Sequence, residues 1–338
     1  MGIYIQSAAQ ISAQKPLCWD FLSEPIIYQE KLVHSLMPDI KTYIPANEAR
    51  RMDKILKRAI VSAKVAMETA NISQLDAIIA GTGLGCMDNT LHFLQDMTRY
   101  NEEMLSPTFF MKSTHNTIAS QLACFLHCHG YNTTYSHGEN SFEAALLDTV
   151  MQFQLQKIHT ALVGAYDEMP NIYFEWLEQL RLHKKENNIG FSSETSVSFI
   201  LSDIQTQESW CELKDIMLIH NHICSTRDIE TFLNKNKLSI NQVDTFVLGM
   251  NKTEHHLYKP IYQHLENQNI LIYKHLFGHS YTSSAFGILI AALCLQKQQL
   301  FAPLIYVQSP TYGKIENILV LNQTNTAYSL TLLSLCLN

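Results

Sequence analysis

The chain has 338 residues, of which 46% are hydrophobic and only 16% charged, with a formal charge of −7. That length allows one large domain or two related ones with a substantial core. The acidic balance argues against a nucleic-acid partner, and no apolar run reaches the eighteen or so residues of a membrane span. Residues 3–11 alternate and are β-prone, an edge or first strand. Residues 46–69 read as one long amphipathic helix with Met52, Ile55, Leu56, Ala59, Ala63 and Ala66 inside and Arg50, Arg51, Lys54 and Lys57 on a solvated face. A short buried strand over 76–80 runs into Gly81-Thr-Gly-Leu-Gly85. This lacks the sixth-position glycine and the following acidic residue of a dinucleotide site, so it reads as a tight strand-to-helix turn.

Residues 106–110 are expected to be extended, and a helix over 116–127 begins near the Ser113-Thr-His-Asn116 cap. The stretch 132–153 then organises the chain. A β-prone run, Thr133 to Tyr135, turns at Gly138, after which Phe142, Ala145, Leu146, Val150 and Phe153 fall on one helical face. An apolar strand ending in an acidic turn follows over 158–168. Strand, glycine elbow, helix, strand is the shape that presents a nucleophile at a helix N-terminus. Here the presented residue is Glu139, an anion where the helix dipole favours one. Ser136 and His137 point to opposite faces of a strand and form no replacement pair.

Residues 178–188 are the most charged and read as surface, and a strand over 197–202 closes the first half. The second half repeats the rhythm: a strand over 211–220, a helix over 226–238, a strand over 243–250 and a helix over 253–267. A strand over 270–273, a small-residue helix over 283–299 and a hairpin from 318–322 and 327–333 complete it. Two halves, 1–205 and 206–338, suggest an internally duplicated α/β fold, although their sequence similarity is too faint to count. The eight cysteines are scattered among apolar neighbours, as core residues of a reducing, cytoplasmic protein. Neither Cys124-Phe-Leu-His-Cys-His129 nor His220-Asn-His222 has the second ligand pair a zinc site needs, and no metal or other cofactor is expected.

Three segments together resemble the β-ketoacyl synthases of the thiolase-like superfamily. The elbow and the strand ending Val163-Gly-Ala-Tyr-Asp-Glu168 match the family's nucleophile segment. Lys274-His-Leu-Phe-Gly-His279 is similar to its Lys-x-x-x-Gly-His motif, and the strand ending Leu248-Gly249 to the one that normally ends in the first catalytic His. Weaker echoes are Ser106-Pro-Thr-Phe-Phe110, the Glu194 turn and a shortened gating loop, Asn322-Gln-Thr-Asn325. The resemblance implies a thiolase-like fold of two duplicated α/β halves with layered sheets and helices. It puts Glu139 at the nucleophile position, Gly249 and His279 at the two histidines, and Lys274 in support.

Condensation needs a thiolate to take the acyl chain and donors to hold the enolate formed when malonyl loses CO2. An acyl-carboxylate at Glu139 would be a hydrolysable anhydride, and Gly249 supplies no donor, so no catalytic set is intact. Members without the nucleophile resemble the chain-length factors of type II polyketide systems, usually marked by Gln there. The short form here is most similar to those of aryl-polyene and flexirubin-type pigment clusters. The resemblance implies pairing with an active ketosynthase, service from an acyl carrier protein, and an interface through Thr133, Thr134 and Tyr135 with Asn116 beside them. No Lys or Arg falls between Ser113 and Lys157. The alternatives are a malonyl decarboxylase and a structural homodimer without a synthase.

Overall fold

The computed structural model describes residues 2–103, 105–180, 190–251, 257–265, 268–309 and 313–336. In chain order its strands are β1 (Tyr4–Ile11), β2 (Leu32–Val33), β3 (Ala77–Gly81), β4 (Tyr131–Tyr135), β5 (Thr160–Asp167), β6 (Ser192–Ser193) and β7 (Thr195–Ser202). They continue with β8 (Cys211–His220), β9 (Thr245–Leu248), β10 (Asn269–Ile272), β11 (Ile305–Val307), β12 (Asn317–Gln323) and β13 (Ala327–Ser334). Apart from the small β2-β6 pair, all join one ladder in the order β11-β10-β9-β12-β13-β8-β1-β7-β5-β3-β4.

That ladder narrows at β1-β8, where only Tyr4–Glu212 and Ile5–Cys211 pair. On each side of the join five strands share one arrangement, β4-β3-β5-β7-β1 and β10-β9-β12-β13-β8, and β11 adds a sixth strand beyond β10. Taken in chain order, the second strand of each set (β3, β9) runs parallel to the third and fourth (β4 and β5, β10 and β12), and the fifth (β7, β13) runs antiparallel to the fourth and to the first (β1, β8). A repetition that is too faint to count in the residues is plain in the topology.

Side chains alternate across a strand, and here both faces are buried. Ala77 and Ile79 of β3, Val163 of β5, Val247 of β9 and Val320 of β12 enter one central cluster. Helices Ser141–Gln154 and Ala285–Lys297 lie in that same cluster, between the two sets. The other faces of the first set, such as Ile78, Ala80 and Leu162, pack with helices Lys54–Thr69 and Thr117–Phe125. Those of the second set, such as Phe246, Leu248 and Leu321, pack with Thr226–Lys235 and Lys259–Tyr262. The result is alternating layers of helix and sheet. Helix Ala285–Lys297 is apolar all round, from Ala285 through Leu295, as a helix enclosed on every side must be. Among the described residues no helix is long and apolar enough to cross a membrane.

Several expected elements differ. The helix expected over 46–69 is two, Ala46–Ala49 and Lys54–Thr69, separated where Asp53 is extended (φ −77°, ψ 164°). Asp53 is held there by Asn89 Nδ2 at 2.9 Å. Residues 106–110, expected to be extended, begin helix Pro107–Lys112. Proline takes its first turn without losing a bond, and Phe109 and Phe110 lean on His92 and Phe93. Helix Asn171–Gln179 was not expected. β1 is first in the chain but central in the ladder. Of the helix expected over 253–267 only Lys259–Tyr262 is helical among the described residues, with turns on either side of it; 252–256 and 266–267 lie outside the described residues, as does most of the charged stretch 178–188.

Candidate functional site

β4 ends at Tyr135, and the chain turns through Gly138, whose φ of +57° suits glycine, into a one-turn 3-10 segment, Gly138–Asn140. Ser141 secures the turn: its Oγ donates to Gly138 O (2.6 Å) and accepts from His137 N (2.9 Å). Glu139 therefore stands at the N-terminus of helix Ser141–Gln154 with its side chain 30% exposed. His279 Nε2 lies 3.4 Å from its Oε1.

His279 is placed by its own neighbours. Gly278 has φ +74°, and a Cβ there would meet Phe191 at 2.6 Å and Ser193 Cβ at 2.7 Å, so only glycine fits. His279 N donates to Phe191 O, and its carbonyl accepts from Ser193 N, both at 2.8 Å. Its ring neighbours Tyr281, whose hydroxyl is 3.0 Å from that of Tyr173, and burial pushes the Tyr281 phenol up. Lys274 opens the short helix Lys274–Phe277 and makes no ion pair among the described residues. Of the two basic residues of that motif, it is His279 that the structure sets beside Glu139.

The turn 81–85 answers to a buried acid. Asp167 Oδ1 accepts from Thr82 Oγ1, Gly83 N and Leu84 N at 2.9–3.1 Å, and its Oδ2 accepts from Thr282 Oγ1 at 2.7 Å. Gly83 is needed because a Cβ would overlap Tyr281. One carboxylate thus ties the glycine turn and the end of β5 to the segment after His279.

Gly249 follows β9. Its N donates to Leu321 O at 2.9 Å and its carbonyl accepts from Tyr258 OH at 3.0 Å. A Cβ there would overlap Asn322 Oδ1 and crowd the hydroxyls of Tyr273 (3.1 Å) and Tyr258 (3.2 Å). Asn322 ends the strand expected over 318–322, Gln323 of the expected gating loop extends β12 by one residue, and Thr324 N donates to Ala327 O at 2.8 Å to close a tight hairpin. Asn322 is buried and its Nδ2 donates to Glu143 Oε1 at 2.9 Å; Ser329 Oγ donates to the same oxygen at 3.3 Å. Glu143 sits one helical turn beyond Glu139, and burial pushes its carboxyl up. Sequence reasoning missed Glu143, although a lone acid beside Phe142, Ala145 and Leu146 on an apolar face was a signal.

Also missed was a second buried group. Arg58 grips Glu194 through Nη1 (3.0 Å) and Nη2 (3.2 Å), Ser35 N donates to the same carboxylate at 2.8 Å, and His34 stands 3.7 Å away. Burial alone would raise the Glu194 carboxyl, but Arg58 and its other partners outweigh it and hold the group at about 2. Arg58 points inward from the helix whose other basic residues read as a solvated face.

At the far end of the ladder β4 pairs, among the described residues, with β3 alone. Thr133, Thr134 and Tyr135 are half-buried, and Thr134 Oγ1 is enclosed without a hydrogen-bond partner. Asn132 Nδ2 donates to Ala119 O at 2.9 Å, which moors the strand to helix Thr117–Phe125. Asn116 is exposed at that helix's N-cap position and makes no side-chain cap. Tyr131 on β4 and Met151 and Leu155 on the elbow helix are exposed apolar residues. Among the described residues no group of three or more His, Cys, Asp or Glu is placed to hold a metal ion.

Residues 29–243 match the family model described as "Beta-ketoacyl synthase, N-terminal domain". No curated protein matches the chain. Among solved structures, a β-ketoacyl synthase from Burkholderia phymatum superposes with a TM-score of 0.79 at 13% identity, covering 99% of this chain and 100% of that one. The ishigamide ketosynthase/chain length factor gives 0.76 at 12% identity, with 99% of both chains covered. A ketosynthase in complex with its chain length factor from Xenorhabdus doucetiae gives 0.71 at 15% identity, with 99% and 98% covered. The layered fold is shared over nearly the whole chain.

Proposed function

This chain belongs to the β-ketoacyl synthase family, and from that premise we propose that it is a non-catalytic, chain-length-factor-like subunit that pairs with an active ketosynthase. Its halves are 1–205 and 206–338, its partners are that synthase and an acyl carrier protein, and it works in the cytoplasm. The observation that carries the reading is the pair of replacements at the elbow and at the end of β9. A carboxylate, Glu139, stands at the helix N-terminus where a thiolate would be needed, and Asn322 crowds the Cβ position of Gly249. His279 beside Glu139 is then half of a site: it can hold a carboxylate, while Gly249, at the position of the second histidine, brings no side-chain donor for an enolate. Decarboxylation of a malonyl group would call on that same absent donor, which weighs against the decarboxylase alternative.

The test uses the purified chain free of any synthase, with acyl and malonyl carrier proteins as substrates. No 3-oxoacyl product is expected from it. Glu139→Cys alone should stay at least ~10²-fold below an ordinary synthase, the usual cost of a lost oxyanion donor. Condensation at an ordinary rate by either protein would overturn the reading.

A further inference from the structure

We propose that Asn322, held by Glu143, is a positioning residue that occupies the space any side chain at position 249 would need, so that residues 249 and 322 are locked to each other. This holds whichever partner the chain takes. The glycines of this fold are crowded in two ways. At Gly81 an added Cβ would meet the main chain of Ser141 and Phe142 at 2.7 Å, and at Gly130 it would overlap the carbonyl of Asp76. Main chain cannot step aside, so those glycines are set by the fold itself. At Gly249 the first atom met is the side-chain oxygen of Asn322, and the next two are phenol hydroxyls at 3.1 and 3.2 Å. The glycine there is set by a neighbouring side chain.

Asn322 is not free to turn away. Its strand β12 runs parallel to β9, with Leu321 opposite Leu248 and Gly249 N donating to Leu321 O, which fixes the backbone beside position 249. Its amide nitrogen donates to Glu143, which is itself buried on the elbow helix and shared with Ser329. A 180° turn of the carboxamide would place an oxygen against Glu143 and lose that bond. The lock therefore runs from the elbow helix through Asn322 to the end of β9, and it spans 179 residues of sequence.

A double-mutant cycle on the full chain tests this, with thermal midpoints read for the wild type, Gly249→Ala, Asn322→Ala and the pair. Overpacking at position 249 should lower the midpoint by on the order of 5 °C in the wild-type background. In the Asn322→Ala background the same change should cost no more than about 2 °C, the residue of the phenol contacts. The non-additivity should persist with Glu143→Gln, which keeps an acceptor for the Asn322 amide, and shrink with Glu143→Ala. If Gly249→Ala does not fold, the paired variant should still yield soluble protein. Should Asn322→Ala not fold, Asn322→Ser, which retains a donor for Glu143, carries the same cycle. Equal costs in both backgrounds, no cost in the wild type, or an insoluble pair beside a soluble single variant at 322 would each overturn the proposal.

Discussion

The two five-strand sets share one topology and finish it differently. In the second, the outer strand β10 is covered by β11, with Ile270 opposite Val307 and Leu271 opposite Ile305. In the first, no strand among the described residues covers the equivalent outer strand β4. The interiors differ as well. Among the described residues every buried acid (Glu143, Asp148, Asp167, Glu168 and Glu194) and the buried Arg58 belong to residues before 205, whereas the second set is tied by neutral groups such as Tyr258, Asn322 and Gln323. A bare edge without Lys or Pro is a template for another strand. The half that carries it is also the half whose folding depends on ionisation.

The comparison can be broken at its edges first. A charge on the bare strand, Thr134→Arg, should abolish pairing with the synthase, a loss of at least ~100-fold in affinity on the scale of a central interface position, and leave the chain poorly soluble. Tyr306→Arg on the covering strand should leave pairing intact in the same co-purification assay. Equal effects would mean that the two edges are equivalent.

The interior contrast is sharpened next. Arg58→Met strands Glu194 in the core and should cost about 3–5 kcal/mol at pH 7 by denaturant unfolding. With Arg58 present, the Glu194 carboxyl lies at about 2, below its ordinary 4.5. Its stabilisation is therefore complete above pH 4.5 and lost as the pH falls from 4.5 to 2, amounting to about 3 kcal/mol. Hydrogen exchange across that window should loosen β7 and helix Lys54–Thr69 before β12 and β13. Glu168 gives an effect of the opposite sign. Burial, with Asp88 adding to it, raises its carboxyl from 4.5 to about 8, so its contribution is greatest below pH 4.5 and lost as the pH rises to 8. Glu168→Gln, which keeps an acceptor for Asp88 N, should gain a few kcal/mol at pH 9 and nothing at pH 4.

Much of this was legible in the residues, because it is local. The elbow and the Gly278-His279 turn are fixed by glycines whose φ only glycine takes easily, and the strands by runs of Val, Ile and Ala. What was not legible is what long-range contact decides. Pro107 reads as a breaker until Phe109 and Phe110 find His92 and Phe93 and make it a helix start. Arg58 gives no signal in the sequence, because its partner Glu194 lies 136 residues away. Asn322 reads as the last residue of a strand and the first of a shortened loop, and its partner Glu143, on a helix in the other half, is out of reach of that reading. A single sequence carries the glycine at 249 as a lost histidine and is silent about what took its space.

The most direct test of the central claim is the native mass of the chain co-expressed with a ketosynthase that carries an intact Cys-His-His set. The account predicts a one-to-one complex that survives size exclusion at micromolar concentration, consistent with an interface well above 2,000 Å² in total. It also predicts that Thr134→Arg separates the two. A chain that elutes alone, as a stable monomer or as its own dimer, while the synthase elutes without it, would contradict the account.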